Sequence, residues 1–189
     1  MANTNIVSGM EKLARKWHDG QFRRGPERLP YIVHPEAVVA QLKNWGYSEK
    51  NDPVILAIAW GHDLFEDTAV PAADVLKVCG TFGAEVIFGI SWLTFCRENW
   101  PEIDSAAEAK GRYIERIANC APPAILAVKL ADRFNNLRDF IKYRGGRDEK
   151  TQAYYREAEP LFENIKRLPV SLQKMVGESL AELRSSLIF

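Results

Sequence analysis

The sequence predicts an all-α fold, and three observations carry that reading. Apolar residues recur at helical spacing, while proline, glycine and small polar residues punctuate the chain at helix-length intervals. No stretch alternates apolar and polar over the length of a strand, and no Asn-Gly hairpin signal occurs.

The elements follow in order. Met10, Leu13, Ala14 and Trp17 share one face of a first helix. The segment GQFRRGPERLP, Gly20 to Pro30, reads as a loop. Pro35 suits the first turn of a second helix, which carries Val38, Val39 and Leu42 and stops near Gly46. Asp52-Pro53 starts a third, and VILAIAW is apolar all round, which marks a buried central helix. Pro71 opens a short helix closed by Gly80, and Thr81 is expected to cap the next. Phe95 to Asp104 is the least regular stretch and reads as a loop. Ser105 caps AAEAKGRYIERIA. Pro122-Pro123 precede the long run AILAVKLADRFNNLRDFIKY, closed by Gly145-Gly146. Two further helices are expected, about 148–167 and 171–186, with Pro160 kinking the first or starting a new turn.

A length of 189 residues suits one domain or a domain with a small extension, and 47% hydrophobic residues can fill a core. Twenty-five basic and 25 acidic residues balance, which argues against a general nucleic-acid binder but leaves room for a local basic pocket. Cys79, Cys96 and Cys120 are scattered without CxxC spacing, so neither a disulfide framework nor a zinc ribbon is expected. The start, MANTNIVSGMEKLARKW, lacks the apolar core of a signal peptide. No apolar run approaches the roughly 20 residues of a membrane helix. A soluble, cytoplasmic protein with free thiols is expected.

Three features carry chemistry. GHDLFEDT places His62, Asp63, Glu66 and Asp67 at the end of the apolar helix, with His62/Glu66 and Asp63/Asp67 each four apart. Clustered acids at a helix C-terminus oppose the helix dipole and desolvate one another, and a cation relieves both costs. His34 in PYIVHP is a second candidate, although a lone histidine before proline also fits a loop or core position. In KLADRFNNL, Lys129, Asp132 and Asn136 share one helical face among core residues. Asp132 there fits either a functional role or a buried salt bridge with Arg133 or Lys129. Two imidazoles and two carboxylates together suit a mid-row divalent ion such as Mn²⁺ or Fe²⁺. Four such ligands leave two octahedral positions, one for a water whose pKa the ion lowers and one for a phosphoryl oxygen.

The ordered strings HDGQFRRG, PYIVHP, GHDLFEDT, VKLADRFNNLRD and, more weakly, TQAYYREA extend from about His18 to Ala158. They resemble the HD superfamily of metal-dependent phosphohydrolases, and more narrowly the hydrolase domain of Rel/SpoT-type alarmone enzymes and their stand-alone relatives. The resemblance implies a compact HD-domain helical bundle: a single hydrolase domain over 1–189, with its motifs at about 10–160 and a helical extension at 161–189. The chain is too short for the synthetase and regulatory domains of long Rel enzymes, so a stand-alone form is implied. Carried over, the family's metal ligands fall on His34, His62, Asp63 and Asp132, with Mn²⁺ as the expected ion. Its catalytic acids fall on Glu66 and Asp67. Its nucleotide contacts fall on Arg23, Arg24, Asn136 and Tyr154, and Lys129 joins them as a candidate on the face of Asp132. The implied reaction converts (p)ppGpp to GDP or GTP plus pyrophosphate.

The chain departs from the family after Leu93-Thr94, where FCRENWPEID replaces acidic and lysine residues. Lys110, Arg112 and Arg116 on the next helix are either phosphate contacts or a solvated face. Two other readings stay open: an HD phosphohydrolase for NADPH or a deoxynucleotide, and a nucleotide-binding HD module without catalysis. The second would be favoured by loss of a ligand, and every ligand and both acids are intact.

Overall fold

The computed structural model describes residues 5–188. The first four residues, where the N-terminal segment read above begins, lie outside them. The described residues form helices α1 Ile6–Trp17, α2 Val33–Asn44, α3 Pro53–Gly61, α4 Leu64–Asp67, α5 Ala72–Cys79, α6 Gly83–Leu93, α7 Ala106–Cys120, α8 Pro123–Arg144, α9 Glu149–Glu163 and α10 Val170–Ile188. Among the described residues there is no strand, only an isolated bridge between Phe22 and Pro30. No helix among them is long and apolar enough to cross a membrane. The chain divides into two compact units at Thr94/Phe95.

In the first unit α3 is central and packs against α1, α2 and α6. That follows from its all-round apolar sequence, and Leu56, Ala57 and Ala59 are fully buried. Asn5 caps α1 by accepting from the amides of Val7 and Ser8, so the helix begins a turn before the apolar stripe that announces it. Gly80 ends α5 with a φ of 55°, a conformation glycine tolerates. Thr81 does not cap α6: it lies inside a 3₁₀ turn, Gly80–Phe82, and α6 starts at Gly83 without a side-chain cap. A Cβ on Gly83 would meet Leu76 Cα at 2.9 Å, and this close approach fixes the short connection.

In the second unit α8 runs through the core, with Leu126, Ala127, Val128, Leu130, Ala131, Phe134 and Leu137 fully buried. It packs on α7, α9 and α10. Ser105 caps α7 by accepting from the Glu108 amide, as its position predicts. The 95–104 stretch is a loop with one 3₁₀ turn, Arg97–Asn99, in which the Arg97 guanidinium donates to the carbonyls of Trp100 and Ile103. The helix expected over 148–167 is divided. α9 continues through Pro160 to Glu163, a 3₁₀ turn follows at Ile165–Arg167, and α10 starts at Val170.

Candidate metal centre

The first unit assembles its site at the end of α3. Gly61, just before the histidine, lies under packed side chains: a Cβ there would lie 2.6 Å from Met10 Cε and 2.7 Å from Ile90 Cδ1. The helix then breaks. His62 is its C-cap, Asp63 takes the N-cap position of α4, and α4 carries Glu66 and Asp67. The continuous helix end implied by the spacing of GHDLFEDT is therefore two pieces. His62 Nδ1 donates to the Ala59 carbonyl at 2.8 Å, which directs Nε2 to the other side of the ring. That Nε2 lies 3.3 Å from His34 Nε2 and 3.1 Å from Asp63 Oδ2, and His34 Nε2 is 3.6 Å from the same oxygen. His34 stands in the first turn of α2, 2% exposed, and His62 is 1% exposed.

Three donor atoms from His34, His62 and Asp63 thus lie within 4.8 Å of one another. Two imidazole lone pairs and a carboxylate oxygen converging in a buried space repel unless a cation sits among them. Nitrogen and oxygen donors of this kind suit a mid-row divalent ion. The three residues fit a metal.

Glu66 and Asp67 are exposed on α4. Asp67 is tied down by a residue the sequence reading did not single out. The Tyr31 hydroxyl lies 2.6 Å from Asp63 Oδ2 and 2.8 Å from Asp67 Oδ2. Burial, with both carboxylates beside it, pushes that hydroxyl far above its ordinary pKa, so it stays protonated and donates. His18, 2% exposed, stacks on the Tyr31 ring at 4.7 Å. Gln21 donates to the Asp67 carbonyl at 2.9 Å, and its Oε1 accepts from His18 Nδ1 at 2.7 Å. Tyr31 and His18 occur inside the strings PYIVHP and HDGQFRRG; the signal was present, but only the fold shows what they touch. The Arg23 guanidinium sits 5.9 Å from the Tyr31 ring, and Arg24 is exposed in the same loop.

The other candidates belong to the second unit. Asp132, 5% exposed on α8, accepts from Lys129 Nζ at 2.9 Å and from Asn136 Nδ2 at 2.6 Å. The three share a face, as their spacing predicts. Burial works against the Lys129 charge, but Asp132 outweighs it and holds the ammonium above its usual pKa. The Tyr154 ring stacks on Phe140 at 4.8 Å, with the Arg133 guanidinium 4.5 Å from its centroid. Burial pushes the Tyr154 hydroxyl up to about 12, although Arg133 pulls the other way.

An all-helical fold with a His–His–Asp donor set whose two histidines are buried is the architecture of the HD-domain class. A solved structure of a metazoan SpoT orthologue, described as hydrolysing ppGpp, superposes with a TM-score of 0.76 at 24% identity, covering 100% of this chain and 99% of that one. No family model matches the chain. The guanosine-3′,5′-bis(diphosphate) 3′-pyrophosphohydrolase MESH1 of Xenopus tropicalis is 30% identical over 163 residues, 85% of each chain. Its namesake from Danio rerio is 26% identical over 183 residues, 96% of each. The chain belongs to the MESH1 family of Rel/SpoT-like small hydrolases. The much longer GTP pyrophosphokinase of Streptomyces coelicolor also matches, 30% identical over 139 residues, and the match spans 15% of that protein's length.

Proposed function

We propose that the protein is a metal-dependent pyrophosphohydrolase that removes the 3′-pyrophosphate of guanosine alarmones. The observation that carries this reading is the converging His34–His62–Asp63 donor set in a chain of the MESH1 family. Asp132 completes the ligand set in this reading, and Mn²⁺ is the expected ion among the mid-row divalent ions that such donors suit. Bound there, the ion supplies Lewis acidity toward a phosphoryl oxygen. Glu66 and Asp67 orient the attacking water and accept its proton. The water oxygen bonds to the phosphorus attached at the 3′ position, the bond from that phosphorus to the ribose oxygen breaks, and the ribose oxygen leaves protonated. One water is consumed, and ppGpp yields GDP and intact pyrophosphate. Arg23 stacks on the purine and Arg24 faces phosphate, consistent with guanidinium chemistry. Asn136, Tyr154 and Lys129 contact the nucleotide, Lys129 while paired with Asp132. A cytoplasmic location agrees with three free cysteines among the described residues.

The test is direct. Protein stripped of metal and reloaded with Mn²⁺ is incubated with ppGpp, NADPH and deoxynucleotides, and products are followed by ³¹P NMR. Pyrophosphate and GDP from ppGpp are expected. Intact ppGpp beside cleaved NADPH would move the substrate and keep the metal chemistry.

A further inference from the structure

We propose that Tyr31 is a positioning residue for hydrolysis: its one hydroxyl proton, shared between the Asp63 and Asp67 carboxylates, holds them in one fixed arrangement. The inference rests on the metal-hydrolase reading above and deepens it.

Asp67 alone is poorly ordered by its surroundings. It is exposed, and it ends a helix of four residues, too short to be stable by itself. A free aspartate at such a place samples several rotamers, and each one off the productive geometry costs rate. The Tyr31 hydroxyl removes that freedom by lying within 2.8 Å of both carboxylates, at 2.6 and 2.8 Å. It couples a carboxylate of the donor set to one that handles the water.

Tyr31 can do this because it is itself immobile. Its ring is stacked on the buried His18, at 26° between planes, and meets the His34 ring edge-on with centroids 6.0 Å apart. Its amide donates to the Gln21 carbonyl at 2.9 Å, and the Arg23 amide donates to the Leu29 carbonyl at 2.8 Å, so the 21–31 loop is closed on itself. Gln21 then binds the Asp67 carbonyl. The loop therefore grips Asp67 twice, by side chain through Tyr31 and by backbone through Gln21. Removing the Tyr31 hydroxyl leaves the backbone grip on Asp67 in place and frees the two carboxylates that the hydroxyl holds.

The experiment is Tyr31→Phe, which keeps the ring stack and deletes the hydroxyl. Mn²⁺ affinity is measured by electron paramagnetic resonance, and kcat and KM are measured on ppGpp and on bis(p-nitrophenyl) phosphate. A lost hydrogen bond to a charged group corresponds to about 10–100-fold. That loss is expected in kcat on both substrates at saturating Mn²⁺, with KM within about twofold. In an Asp67→Asn background the same substitution should cost less than it does in the wild type, because one of its two targets is already altered. A Tyr31→Phe enzyme with wild-type kcat, or one whose activity falls only in step with lost Mn²⁺, overturns the proposal. So does full additivity with Asp67→Asn. If the wild type leaves ppGpp intact, the alarmone reading falls while the diester still decides the role of Tyr31. If it cleaves neither, both fall.

Discussion

The Lys129 ammonium lies 2.9 Å from Asp132 Oδ2, one turn away on α8, with both side chains at most 10% exposed. On the same helix the other Asp132 oxygen accepts from Asn136. Lys129 therefore acts first on its neighbour. Lys129→Met should destabilise the fold by about 3–5 kcal/mol, since it removes the ammonium that offsets a buried carboxylate. Urea denaturation checks the value. A variant of unchanged stability and raised KM would assign Lys129 to substrate alone.

Metal binding should stabilise the protein. The His34–His62–Asp63 cluster exists only in the folded chain, so an ion bound there favours the native state by mass action. At Mn²⁺ about 100-fold above Kd the gain is about 2.7 kcal/mol. For a chain of this size that corresponds to a fall of roughly 5–10 °C in Tm when EDTA is added. Asp63→Ala should melt at the same temperature with and without EDTA. A shift that survives in this variant would place the ion elsewhere.

Much of this was legible in the sequence, for identifiable reasons. α3 announces itself because it is apolar on every side, and α7 because Ser105 stands one residue before it. His34, His62 and Asp63 were legible because their strings are ordered along the chain. The break between Gly61 and Leu64 was not, because HDLFED has ordinary helical composition and nothing in it demands a stop. Nor was the Tyr31 bridge: its partners lie 32 and 36 residues away, and periodicity within one helix carries no information about such pairs. The Lys129–Asp132 pair stood between, since spacing allowed it but Arg133 competed; in the fold Arg133 turns to Glu157 at 2.8 Å.

Alkaline pH should weaken the first unit through Cys79. This thiol, 2% exposed at the end of α5, is pushed up to about 11 by burial, from an ordinary value near 9.0. The unfolded chain releases the proton at lower pH than the native chain does. The thiol's stabilising contribution is therefore complete below about pH 9 and lost as pH rises through about 11. Denaturation midpoints at pH 8, 9.5 and 11 should fall, and Cys79→Ala should flatten that fall without removing it. Parallel pH profiles for the two proteins would exclude the thiol as a contributor.

Gly146 should be intolerant of any side chain. A Cβ there would strike the Ser186 carbonyl and lie 3.0 Å from Leu187 Cα, both backbone atoms near the end of α10. Gln152 clamps the same place, donating to the carbonyls of Gly146 at 2.6 Å and Leu187 at 3.1 Å. Gly146→Ala should cost about 1–3 kcal/mol, as overpacking does. It should also expose the end of α10 to carboxypeptidase digestion. Wild-type stability and resistance would mean the helix end is not docked there in solution.

The last prediction separates proton handling from metal binding. Glu66 lies in the first turn of α4, three residues beyond Asp63, which already supplies an oxygen to the donor set. Its carboxylate is exposed, whereas both histidines of the cluster are buried, and it does not belong to the converging group. Glu66→Gln keeps the size and one acceptor oxygen but replaces the other, basic oxygen with a donating amide. Mn²⁺ content should stay at the wild-type level while kcat on ppGpp falls about 10²–10⁴-fold, the usual worth of a positioned acid/base. Because the nucleotide contacts are untouched, KM should change little, and the loss belongs to the transition state rather than to binding. Metal analysis on the same protein sample used for kinetics decides the matter. A variant that loses Mn²⁺ yet retains its turnover per bound ion would make Glu66 a ligand, and the proton-accepting role would pass to Asp67 alone.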